Sequence, residues 1–92
     1  MSDMETPEAS ARALLLVDAC HAYSRGGRDL EAYPRLLERT AADLRGDDWA
    51  TVKTLHAIAR IANVAVKLAA SNSLRSEEEI LTTIAGAIDP TT

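Results

Sequence analysis

WATVKTLHAIARIANVAVKLAAS, residues 49–71, is the stretch whose pattern decides the fold. It contains no Gly or Pro, and Ala alternates with Leu, Ile and Val, so it reads as one long helix. At 100° per residue, Trp49, Lys53, His56, Arg60, Asn63, Lys67 and Ser71 fall in one narrow polar stripe. Almost everything else on it is apolar or small. An ordinary surface helix buries a stripe a little over 100° wide. This one has apolar surface around more than half its circumference, so it is expected at the centre of a bundle or carrying a second interface.

The flanking sequence supplies shorter helices. Thr6-Pro7-Glu8 is a start signal, a hydroxyl cap followed by Pro and an acid. The first helix is expected from Pro7 to Ser24, stopping at Gly26-Gly27, with Ala13, Leu16, Val17, Cys20 and Tyr23 as its buried line. A second is expected from Pro34 to Arg45, preceded by a short turn that Asp29 caps and ended by Gly46. Leu30, Tyr33, Leu37, Ala41 and Leu44 make its apolar face, and Glu31–Arg35 a favourable pair. Asp47 or Asp48 caps the long helix. Ser76-Glu77-Glu78-Glu79 is a capping box that opens a last helix to Ile88, burying Ile80, Leu81, Ile84 and Ile88, with Asp89-Pro90 closing it.

The fold expected is therefore all-α: a small, mostly antiparallel four-helix bundle with a long third helix. Residues 1–92 are read as a single domain with a frayed tail over 1–5. A hydrophobic content of 47% excludes a disordered chain. With aromatics at 3% and no Phe, the core must be aliphatic. One cysteine, Cys20, cannot form an internal disulfide and reads as a small buried hydrophobe. The acidic opening is unlike a signal peptide, and no apolar run approaches a membrane span of about 20 residues. A soluble cytoplasmic protein is expected. Eight Arg to two Lys, with abundant Ala, points to a GC-rich bacterial genome.

Charge is unevenly placed within the net −4. Residues 1–50 carry −4, residues 51–75 carry +4 without an acid, and residues 76–92 carry −4. The simpler account of the basic stripe is a solvated face balanced by Glu77–Glu79 or by acids of the second helix. The sharper account is contact with an acidic protein or a second copy. Nucleic acid is disfavoured, because four bases are few and an acidic chain repels phosphate.

Other motifs are weak. Ala42, Gly46, Val52 and Leu55 match helix-turn-helix spacing, but Arg45 and Asp47 replace the apolar braces of the turn. Asp18, His21 and His56 could just supply the three ligands of a zinc site, but nothing in their spacing makes them converge. Adjacent Cys20 and His21 point about 100° apart and make no nucleophile–base pair. Ser-Arg-Gly-Gly-Arg at 24–28 lacks the Lys-Ser/Thr of a phosphate loop and follows no strand.

No enzyme, cofactor or metal is expected. The reading is a self-associating protein–protein interaction module with a regulatory, inhibitory or assembly role. Its partner-binding residues are Trp49, Lys53, His56, Ile58, Arg60, Ile61, Ala65, Lys67 and Leu68, and its partner a second copy or a protein with an acidic face. The alternative is a helix-turn-helix DNA-binding regulator using residues 34–60.

Overall fold

The computed structural model describes residues 4–26 and 29–88. Four helices make up the fold: α1 (Pro7–Ser24), α2 (Ala32–Leu44), α3 (Asp48–Ser71) and α4 (Glu77–Ile88), with no strand among the described residues. The chain is all-α, and α3, at 24 residues, is the longest element. Gly27, Asp89 and Pro90, read as helix stops, lie outside the described residues, as do residues 1–3 of the expected tail.

The helix boundaries follow local chemistry. Thr6 accepts the Ala9 N–H at 3.3 Å through its hydroxyl, satisfying one of the amides that a helix start leaves unpaired. Asp47 does the same for α3, its carboxylate accepting the Ala50 N–H at 2.9 Å. The capping box is reciprocal: the Glu79 N–H donates to the Ser76 hydroxyl at 3.2 Å, and the Ser76 N–H donates to the Glu79 carboxylate at 3.1 Å. These bonds with Ser76, the one from its backbone foremost, hold the Glu79 carboxyl below its ordinary range. Gly46 ends α2 with φ +83°, a left-handed conformation that a side chain would oppose. Helix α2 begins two residues before the expected Pro34, which a first turn tolerates because its missing N–H has no helical acceptor there. Arg35 is paired with Glu31, as the spacing predicts, and also approaches Asp29 at 3.7 Å.

The chain forms two compact units, Met1–Ala59 and Arg60–Thr92, and α3 contributes to both. In the first, Ala9, Ala13 and Leu16 of α1 are buried, together with Thr54 and Ala57 of α3. The Arg12 guanidinium donates to the Thr54 hydroxyl at 3.0 Å, tying α1 to α3. Tyr23 of α1 and Tyr33 of α2 stack with ring centroids 5.4 Å apart. In the second unit Val66 is buried, and the Arg75 guanidinium reaches the Glu79 carbonyl at 3.2 Å and the Thr83 hydroxyl.

Several expected core faces are corrected. On α1, Val17 and Tyr23 are exposed, and so is Cys20. Two of the five residues in the expected line, Ala13 and Leu16, are the ones covered. On α2 the half-buried residues are Tyr33, Leu36, Thr40 and Leu44, whereas Leu37 and Ala41 are exposed, as is Leu30 just before the helix. On α4 nothing is buried: Ile80 is half-buried, and Leu81, Ile84 and Ile88 are exposed. The common reason is that periodicity shows which residues share a side of a helix, and only the neighbours decide which side is covered.

Candidate functional site

Helix α3 shows the feature from which a site can be built. In the first unit Ala57 is 6% exposed and Leu55 61%. In the second, Val66 is 5% exposed and Leu68 58%. Residues two apart on a helix point about 200° from one another, so each half of α3 has a covered apolar side and an open one.

The nine residues read as partner-binding divide between the units. In the first, Trp49 is exposed, and the Lys53 ammonium lies 6.0 Å from the centre of its ring, the outer range of a cation–π contact. His56 is half-buried with Nε2 3.8 Å from a Glu5 carboxylate oxygen. Ile58 is half-buried and lines an open apolar groove with Leu16, Leu37, Ala41, Leu44 and Leu55. In the second unit, Arg60, Ala65, Lys67 and Leu68 are exposed and Ile61 is half-buried. Lys67 lines a shallow polar groove with Ser71, Ser76, Glu77 and Glu78, so the acids of α4 share its surroundings.

Sequence reasoning passed over three contributions to the exposed surface. Val64, 54% exposed, falls between Ile61 and Leu68 at spacings of three and four and completes their stripe. Leu81, Ile84 and Ile88 repeat that spacing on α4. Leu14 and Leu15 of α1 are exposed on the side away from Ala9, Ala13 and Leu16. The available signal was arithmetic: this many aliphatic residues exceed what four short helices can cover.

A third cluster joins α1 to α2. Hydrogen bonding with the Cys20 thiol, and secondarily burial, raises the Tyr33 phenol above its ordinary value, beside the Tyr23 ring. Among the described residues there is no group of three or more His, Cys, Asp or Glu placed to hold a metal ion. Among them, too, no helix is long and apolar enough to cross a membrane.

Comparison with protein-family models, with curated proteins and with solved structures finds no match.

Proposed function

We propose that this chain is a small protein–protein interaction module that self-associates, with α3 meeting the partner. The observation that carries this reading is the balance of covered and open apolar side chains. Leu16 and Val66 are the large aliphatic residues buried among the described residues, while fifteen large apolar side chains are exposed. Open apolar surface on this scale, gathered into helical stripes, is what a partner helix covers. The stripe Ile61, Val64, Ala65 and Leu68 is flanked by Arg60 and Lys67, which would orient a partner electrostatically and raise the rate of encounter more than the affinity.

Light scattering on the full chain across a concentration series, at low and high salt, tests the reading. A dimer mass that persists at high salt supports an apolar interface, since screening weakens contacts between exposed charges and leaves apolar burial intact. A monomer mass at every concentration removes self-association.

A further inference from the structure

We draw no further inference here: the strongest candidate, the open apolar groove of the first unit lined by Leu16, Leu37, Leu44, Leu55 and Ile58, carries none, because nothing in the structure shows what covers it.

Discussion

The Arg12 guanidinium donates to the Thr54 hydroxyl at 3.0 Å, and that hydroxyl donates in turn to the Ala50 carbonyl one helical turn back, at 2.9 Å. Thr54 is 3% exposed, so the tie sits where water competes poorly for it. It is a polar contact between α1 and the first half of α3, in a unit whose buried apolar residues are mostly alanine. Thr54→Val keeps the side-chain shape and removes the acceptor. It should lower stability by about 1–2 kcal/mol, since a partly buried donor loses its partner. Urea unfolding of the two proteins checks this. Arg12→Met combined with Thr54→Val should recover part of the loss, because the combination leaves no unpaired donor.

The capping box at the start of α4 predicts a pH dependence with a definite sign. The Glu79 carboxyl is held below its ordinary range by its bonds with Ser76, so the unfolded chain binds its proton more readily than the folded one. The contribution to stability is full above the unfolded carboxylate value of about 4.3 and is lost as pH falls through the lower folded value. In Glu79→Gln that part of the acid sensitivity should disappear, while the neutral side chain still reaches the Ser76 amide. Ser76→Ala should cost about 1 kcal/mol at neutral pH, the usual worth of a hydroxyl cap. Unfolding midpoints measured between pH 3 and pH 7 test both substitutions.

Two glycines predict effects of opposite sign. Gly46 turns the chain between α2 and α3 at φ +83°, so Gly46→Ala should destabilise by about 1 kcal/mol despite the open space around it. Gly86 lies inside α4, and nothing stands within 4 Å of where its Cβ would be. Gly86→Ala should stabilise by about 0.5–1 kcal/mol by restricting the unfolded chain and favouring the helix. Thermal midpoints moving in opposite directions are the expected outcome. A Gly86→Ala protein less stable than its parent would show that a partner backbone approaches this position.

What was legible in the sequence was the local chemistry. Thr6, Asp47, Gly46 and the Ser76–Glu79 box announce helix ends because each acts within three or four residues of itself. The long run of α3 was legible for the same reason. Coverage was not, because it depends on which helix arrives from elsewhere in the chain. Leu36 and Leu37 are neighbours of one residue type, and only packing makes Leu36 half-buried and Leu37 exposed. On α4 the periodicity of Leu81, Ile84 and Ile88 was legible, and a core for them was assumed. The candidate surface divides in the same way. Leu68, Ala65 and Val64 are open, whereas Ile58 and Ile61 are partly covered, a difference that their shared aliphatic character does not announce.

Cys20 provides a test of how far coverage on α1 extends. It continues the line of Ala9, Ala13 and Leu16 by one more turn, and apolar surroundings in the sequence argue for burial. The structure leaves it exposed, in contact with the Tyr33 phenol at the α1–α2 junction. A thiol reagent should therefore label the native chain within about tenfold of the rate in urea, since access then limits little. Cys20→Ser should leave the unfolding midpoint nearly unchanged, as an exposed thiol contributes little burial. Strong protection of the native thiol, by contrast, would mean that the covered side of α1 runs its full length. The open apolar surface of the first unit would then be smaller than the structure shows.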